Sequence, residues 1–456
     1  MPSPTAPSDS RRARGLLTPR TVHVASLAVA FVWIVICARN QWFFFDEWDF
    51  ISLRSTDLLT PHLGHWSTIP MLVTAGLVRT VGLGSYWPYL VTAILVHLGL
   101  AHVLWRVLRR AGVQPWIGVL LAFVLALFGA GSENILWAFQ FGFMGAILLG
   151  AICALLADGL SRERYWGRFA WIAVLSVAAV MFSGTALPML VAVALVALRR
   201  VGFWRTALLL APVVVAYGTW SVYARLNPAY FIPGGPASPD LGTLFVGIPS
   251  YAFRMIVGGL DGLTPVPYLS FALFAALLVY AVVFGRRLWA SAPLVPAFAA
   301  AAVVFALITA YSRIDLGAQV AASSRYIYFT TAMLIPLIGV ICTRLVSLRR
   351  GRALGIAVAA ALGVTALYGG NLMFRTAEVQ AEMKQQAREV LEAAIPLVED
   401  PAGNVPDTAF PEPMYAPHLT AGDLRALVDA GYWPRPDAPV APEARATALQ
   451  NLKAAS

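Results

Sequence analysis

Charged side chains are scarce in this chain of 456 residues. They make up 12% of the sequence, whereas hydrophobic residues make up 59% and the mean hydropathy is +0.71. Soluble globular domains carry roughly one-quarter charged residues, so the composition excludes a soluble fold. A chain this long and this apolar is typical of a polytopic membrane protein. We therefore expect an all-α protein that crosses the bilayer many times.

Cysteines and nucleotide-binding motifs are also few or missing. The three cysteines, Cys37, Cys153 and Cys342, lie in apolar stretches and form neither a disulfide framework nor a metal-ligand spacing. The sequence contains no P-loop and no glycine-rich dinucleotide pattern, so we expect no nucleotide cofactor. The net charge of +10 comes from short arginine runs between apolar segments. Because these runs form no continuous basic patch, nucleic acid is excluded as a partner.

Long apolar runs are the main feature that is present. Two apolar stretches, 66–83 and 241–260, are expected to lie along the membrane edge as half-buried helices in outer loops. Counting either one as a span would mix arginines and acids on both sides of the membrane. The runs that we expect to span, about eleven, are 21–40, 88–106, 115–131, 137–157, 169–183, 185–198, 204–223, 265–284, 292–311, 326–343 and 353–370.

The arginine runs set the expected orientation. With the spans assigned in this way, one side of the membrane receives most arginines and few acids. Arginine-rich loops favour the cytoplasm, so the amino-terminal segment 1–20 is expected there. A transmembrane domain is then expected over 21–370, and the tail 371–456 is expected outside. The first span is interpreted as an uncleaved anchor.

The stretch FFFDEWDF places Asp46, Glu47 and Asp49 directly after the first span, in a first outer loop over 41–87. Ionised carboxylates at the hydrocarbon edge are costly unless they are paired or hydrated, and neighbouring ones repel each other. If the stretch is helical, Asp46 and Asp49 share one face. We interpret Asp46 as a general base that Glu47 supports, or as half of a divalent-cation site with Glu47. The alternative is a hydrated loop beside an aromatic belt.

Other polar residues of the expected outer face are candidates for binding or orienting a substrate. The stretch PHLGHW holds His62 and His65, which can hydrogen-bond a phosphate or a sugar. The alternative is that they are interfacial histidines, because two histidines alone make an incomplete metal site. The stretch GSENILW places Glu133 in a first helical turn, where it can orient a substrate or only complement the helix dipole. Gln140 is expected to point into the bundle below it.

Arginines on the expected outer face run against the charge bias and need an explanation. The stretch ASSRYIYF puts Arg325 at the outer edge of a span beside Tyr326, and Arg313 lies one short loop upstream. Arginine binds phosphate through two parallel hydrogen bonds, so we interpret these three residues as a candidate phosphate site. The alternatives are snorkelling to the interface, or a salt bridge to Asp315.

A first span followed at once by an outer loop that opens with Asp-Glu between aromatics resembles the GT-C glycosyltransferases. Protein O-mannosyltransferases, lipid A aminoarabinose transferases and actinobacterial cell-wall arabinosyl- and mannosyltransferases look similar in this respect. The resemblance covers about residues 21–370. It implies an integral membrane enzyme that moves a sugar from a polyprenyl-phosphate carrier to an acceptor outside the cytoplasm. It also implies that the essential acid of the first outer loop falls on Asp46.

The chain departs from this family in two respects. It lacks the large soluble outer domain of some members, and it lacks a second Asp-x-Asp or Asp-Asp motif. The second absence leaves the requirement for Mg²⁺ or Mn²⁺ open, with Asp46 and Glu47 as the candidate ligands.

These observations lead to the hypothesis of an inverting glycosyltransferase of the cell membrane. Its donor is a polyprenyl-phosphate-linked sugar, and its acceptor is a cell-envelope glycan, lipid or protein. One alternative is a flippase for lipid-linked glycans, which would show polar groups near the membrane centre and paired repeats. Another is a non-catalytic membrane protein of envelope assembly.

Two segments outside the core of spans have their own expected structure. The outer loop 224–264 begins irregularly because of its prolines and glycines, and it either closes over bound substrates or connects passively.

The tail is expected to begin with an amphipathic helix, AEVQAEMKQQAREVLEAA, followed by a proline-rich linker near 401–417. A short helix then follows, capped by Thr420 with Asp423 and ended by Gly431. The tail is expected to pack against the outer face.

Overall fold

The computed structural model of the protein describes residues 18–52, 57–62, 64–161, 163–227, 240–348, 351–436 and 440–454. This part of the chain is almost entirely helical, which confirms the predicted all-α class. Its one sheet is the hairpin of β1 (Pro61–His62) and β2 (His65–Trp66). The segment 1–17 and residues 228–239 of the large outer loop lie outside the described residues.

The helices are α1 (Pro19–Cys37), α2 (Glu47–Ile51), α3 (Thr68–Val81), α4 (Trp87–Arg110), α5 (Pro115–Ala126), α6 (Ser132–Leu136), α7 (Phe141–Asp158), α8 (Tyr165–Phe182), α9 (Ala186–Val201), α10 (Phe203–Leu226), α11 (Ile248–Asp261), α12 (Leu269–Ser291), α13 (Leu294–Arg313), α14 (Ser324–Val346), α15 (Gly351–Glu399), α16 (Ala421–Asp429) and α17 (Pro442–Ala454). Short 3₁₀ turns join several of them, and a π turn, Thr243–Gly247, leads into α11.

The bundle has two ends with different chemistry. The loop end carries the segment 41–87. At the opposite arginine end, Asp158 accepts hydrogen bonds from Arg110 Nε at 2.5 Å and from Arg200 Nη2 at 2.7 Å. The Asp158 side chain is buried, and its two arginine partners tie the ends of α4, α7 and α9 together.

Among the described residues, 11 helical stretches are long and apolar enough to cross a membrane, so the chain is a multi-pass membrane protein. The 16 residues of α9 are too few to be counted among them. Nevertheless α9 begins beside Gly184, which lies against His65 at the loop end, and it reaches the arginine end at Arg200. It therefore crosses the bundle, as expected for the predicted span 185–198.

The stretch Thr243–Asp261 has the length and composition of a span, but its contacts show a different path. Gly247 packs against Ile314, directly after the loop end of α13. At the other end of the stretch, Gly262 packs against Ala130, which also lies at the loop end, beside the start of α14. Since both ends lie at the same end of the bundle, the stretch runs along that end and does not cross. This agrees with the prediction for 241–260.

The last span and the start of the tail form one helix. We predicted a span over 353–370 and a separate amphipathic helix after it, but α15 is continuous for 49 residues. Trp33 of α1 donates to the carbonyl of Gly370 at 3.2 Å, and Gln41 donates to that of Ala377 at 2.9 Å. The helix therefore leaves the bundle without a break and carries the tail back over the loop end.

The rest of the tail packs onto the first outer loop, as predicted. Thr420 and Asp423 form the expected capping box of α16, and Gly431 follows with φ of 73°. Trp433 stacks on Trp48 with ring centroids 5.4 Å apart. Two buried aromatic rings in this arrangement contribute about 0.5–1.5 kcal/mol beyond their buried area.

The chain between α5 and α6 crosses the last span at very close range. A Cβ atom on Gly129 would collide with the backbone of Gly369 and Met373 in α15. A Cβ on Gly118, one helix earlier, would meet only ordinary contacts at 3.8 Å, with Leu108 and Trp105. Only glycine therefore fits at position 129, although both glycines lie inside the bundle.

We expect Gly129→Ala to lower the apparent melting temperature of the purified protein in detergent, because overpacking of this kind costs about 1–3 kcal/mol. The matched control, Gly118→Ala, should melt like the wild type or slightly above it, because alanine favours the helix. Equal melting temperatures for the two variants would contradict the close approach.

Candidate active site

A cavity of about 290 Å³ opens at the loop end of the bundle. Its walls come from the first outer loop, α7, α9, α13, α14 and the tail. Phenylalanines 139, 143, 305 and 329 supply much of its apolar surface. The sequence-predicted residues that line it are Asp46, His65, Gln140, Arg313, Arg325 and Tyr326.

The backbone before Asp46 is held in an uncommon conformation. Phe45 has φ of 50°, which is rare for a residue with a side chain. Its N–H donates to the carbonyl of Tyr415 in the tail at 2.8 Å. Asp46 follows as the N-cap residue of α2, but its side chain makes no capping hydrogen bond. The carboxylate is 5% exposed and lines the cavity. Strain of this kind is typical of functional sites.

Burial raises the pKa of the Asp46 carboxyl above its ordinary value. The nearby His62 and His418 oppose this shift, Asp49 adds to it, and Arg325 opposes it. The charges around Asp46 thus largely favour its ionised form, against the cost of burial.

A short chain of acids and histidines surrounds Asp46. His418 Nε2 lies 3.7 Å from Asp46 Oδ1, and His418 Nδ1 lies 3.2 Å from Asp49 Oδ1. His62 Nδ1 lies 3.2 Å from Asp49 Oδ2. Asp46 and Asp49 therefore face the same side of α2, as predicted. His62 stands behind Asp49 against Phe50, outside the lining of the cavity.

Glu47 points away from the cavity into the protein. Its Oε1 accepts from Tyr86 Oη at 2.9 Å and from the N–H of Phe139 at 3.1 Å, and its Oε2 accepts from the N–H of Phe44 at 2.8 Å. Burial raises the pKa of Glu47, while the nearby Lys384 opposes the shift. The side chain therefore ties three segments together behind Asp46.

Two arginines face the cavity without an acidic partner. Among the described residues, no carboxylate lies within ion-pair distance of Arg313 or Arg325, so the alternative of a salt bridge to Asp315 is not seen. The Arg325 guanidinium lies over the ring of Tyr326, 5.5 Å from its centroid. Arg325 Nε is buried and has no hydrogen-bond partner. An orphaned donor of this kind suits an anionic ligand.

The remaining predicted residues fall on different sides of the cavity wall. Gln140 lines it and is buried. His65 also lines it, and burial, with smaller effects of Arg313 and His62, lowers its pKa to about 4. Glu133 does not line it, and its Oε2 instead accepts from the N–H of Arg325 at 3.3 Å, at the start of α14. Glu133 thus fixes the backbone that presents Arg325.

The carboxylates of the first outer loop do not fit a divalent cation. The two carboxylate oxygens of Glu47 accept hydrogen bonds from Phe44, Tyr86 and Phe139, so they are already occupied and turned away from Asp46. Among the described residues, no three His, Cys, Asp or Glu side chains converge in a way that could hold a metal ion. The donor set expected from Asp46 and Glu47 therefore does not form, and no step is assigned to a metal here.

Sequence reasoning did not find His418, which lines the cavity from the far end of the chain. It lies in the stretch PEPMYAPHLT, which we predicted only as the end of a proline-rich linker. Nothing in the local pattern indicates a partner in the first outer loop. The stretch holds the one histidine of the tail, and this was the available signal.

Comparison with known proteins identifies the fold. No protein-family model matches the chain, and no curated protein matches it. The chain has the GT-C-like fold that the sequence predicted, because it matches two crystal structures of ArnT from Cupriavidus metallidurans. The undecaprenyl phosphate complex matches with a TM-score of 0.53 and 15% identity, and the apo state with 0.52 and 13%. Each match covers 88% of this chain and 84% of the ArnT chain.

We expect Glu47→Ala to lower the apparent melting temperature in detergent. The change leaves two buried donors, Tyr86 Oη and the N–H of Phe139, and one half-buried donor, the N–H of Phe44, without an acceptor. Each buried group left in this way costs about 1–3 kcal/mol. Glu389→Ala, at an exposed acid of α15, is the control and should melt like the wild type. Wild-type stability of Glu47→Ala would show that Glu47 does not hold the loop.

Proposed function

We propose that the chain is a membrane glycosyltransferase that moves a sugar from a polyprenyl-phosphate donor to an acceptor in the cavity at the loop end. The observation that carries the proposal is that one cavity holds both a buried carboxylate and two arginines. A buried carboxylate, Asp46, shares it with Arg313 and Arg325, which have no acidic partner among the described residues. Sugar transfer from a phosphate carrier needs both a base and a cationic phosphate site.

The comparisons support the choice of donor. One of the matching ArnT structures is bound to undecaprenyl phosphate, and the shared fold extends over most of both chains. The cavity also joins the polar groups to an apolar wall that includes Phe305, Ile308 and Phe329. Such a wall suits the first isoprene units of a lipid carrier.

The residues suggest a single displacement with inversion. The acceptor hydroxyl oxygen attacks the anomeric carbon, and its proton passes to the Asp46 carboxylate. The bond from that carbon to the phosphate oxygen breaks, and polyprenyl phosphate leaves with the bonding electrons. Arg325 and Arg313 stabilise the negative charge on the leaving phosphate.

Other residues of the cavity are assigned to binding. Tyr326 orients the Arg325 guanidinium through the stacking contact. Gln140 and His65 are placed to hydrogen-bond sugar hydroxyls, His65 as an uncharged imidazole near neutral pH because of its lowered pKa. Asp49 and His62 act behind Asp46, and Glu133 acts through the backbone of Arg325.

The arginine runs give the proposed orientation. The end of the bundle with Arg110 and Arg200 faces the cytoplasm, together with the amino terminus. The cavity and the tail then face the outside, where a cell-envelope glycan, lipid or protein supplies the acceptor hydroxyl. This assignment places the reaction on the side where lipid-linked sugars meet envelope acceptors.

We expect Asp46→Asn to lower sugar transfer in membranes by about 10²–10⁴-fold, because the amide cannot accept the proton. Radiolabelled polyprenyl-phosphate sugars would be offered one at a time, with expression levels matched. Asp261→Asn changes an exposed acid at the loop end outside the cavity and should transfer like the wild type. If donor lipid moved between leaflets at equal rates in all three proteins, with no transfer, the chain would be a flippase.

We expect Arg325→Gln to raise the donor KM by about 10- to 100-fold, since a hydrogen bond to a charged group contributes about 1.5–3 kcal/mol. Loss of its charge should also raise the Asp46 pKa. The base must be ionised, so activity falls as pH drops through that pKa, and this acid limb should move to higher pH. Arg254→Gln, at an exposed arginine outside the cavity, is the control. An unchanged donor KM would remove Arg325 from the phosphate site.

A further inference from the structure

The tail places the side chain of His418 between two carboxylates of the first outer loop, those of Asp46 and Asp49. The imidazole of His418 reaches Asp46 Oδ1 with Nε2 at 3.7 Å and Asp49 Oδ1 with Nδ1 at 3.2 Å. It also lines the cavity, and its side chain is 35% exposed. Two like charges so close together repel each other, and a shared imidazole between them relieves that repulsion.

The segment that presents His418 is fixed by hydrogen bonds on both sides. Within the segment, Glu412 is buried, and its Oε1 accepts from the N–H groups of Met414 and Tyr415 at 3.1 and 3.2 Å. Toward the first outer loop, the carbonyl of Tyr415 accepts a hydrogen bond from the N–H of Phe45, the residue before Asp46. The same short stretch of tail therefore contacts the side chain of the proposed base and the backbone of the residue before it.

The second anchor of this segment is the start of α16. The N–H of Ala421 donates to the carbonyl of Ala409 at 2.7 Å, and the capping box of Thr420 begins the helix two residues after His418. His418 thus lies between two ordered points, and its orientation is built into the fold of the tail.

The charged and titratable groups that face Asp46 come from four elements. They are His62 of the β hairpin, His418 of the tail, Asp49 of α2 and Arg325 of α14. Arg325 is assigned to the donor phosphate and His62 lies against Asp49, whereas His418 contacts both Asp46 and Asp49.

We propose that His418 is a positioning residue of the transferase, which bridges Asp46 and Asp49, offsets their mutual repulsion and keeps the Asp46 carboxylate aimed into the cavity. The inference rests on the proposed function and extends it, because it makes the tail a part of the active site. A transferase without the segment 410–420 would keep its donor site, but nothing from the tail would then position the Asp46 carboxylate.

The test compares His418→Gln with the wild type on the donor that the wild type transfers. On the acid limb of the pH profile, below the Asp46 pKa, we expect kcat to fall by about tenfold, which corresponds to a rise of one unit in that pKa. The donor KM should stay within about twofold, because the phosphate contacts are unchanged. The acid limb of the pH profile should move up, so that activity recovers toward the wild-type value as pH rises.

A second variant excludes a purely structural effect. His418→Ala leaves a space that is open to solvent, so added imidazole should restore part of its activity and should not affect His418→Gln. Met414→Ala, at a residue that is 68% exposed in the same segment, should behave like the wild type throughout. Its normal activity would show that changes in this segment are tolerated.

Two results separate this inference from the proposed function. If Asp46→Asn is inactive while His418→Gln keeps the wild-type kcat and pH profile, the role of His418 is wrong and the base assignment stands. If Asp46→Asn transfers sugar normally, both assignments fail. A loss of activity in His418→Gln that is equal at every pH, without imidazole rescue of His418→Ala, would also overturn the inference.

Discussion

The position of the proposed base depends on its neighbour, the buried carboxylate of Glu47. Its two oxygens accept hydrogen bonds from Phe44, Tyr86 and Phe139, which belong to three separate segments. A hydrogen bond to a charged group contributes about 1.5–3 kcal/mol, and an unpaired buried charge costs more. The loop cannot move without breaking these bonds. Of these two consecutive carboxylates, Glu47 therefore anchors the loop, and Asp46 is the one proposed to react.

The tail is also held in a fixed position, and it completes the wall of the cavity. Because α15 is continuous from the last span, the tail leaves the bundle in a fixed direction and returns over the first outer loop. On that helix, buried Lys384 donates to Gln41 at 2.6 Å and to the carbonyl of Leu136 at 3.2 Å. The walls of the cavity thus come from both ends of the chain, and they are joined by buried polar contacts.

The sequence was informative where a pattern is local. Apolar length and arginine asymmetry predicted the crossing helices, and the three-residue spacing of Asp46 and Asp49 predicted one shared face if the stretch was helical. Pairings over long distances could not be predicted, because no periodicity records them. Glu47 turns inward and Glu133 holds the backbone of Arg325, while the sequence pattern treats all outer acids alike. His418 is the clearest example, since its partners lie at the opposite end of the chain.

The central claim is that the cavity at the loop end holds a phosphate beside Asp46. The most direct measurement is a cryo-EM structure of the protein in a lipid nanodisc with added undecaprenyl phosphate. The account predicts phosphate density between the guanidinium groups of Arg313 and Arg325, with the lipid chain against Phe305 and Phe329. Phosphate density held by Arg106 and Arg109 at the arginine end, with an empty cavity at the loop end, would contradict it.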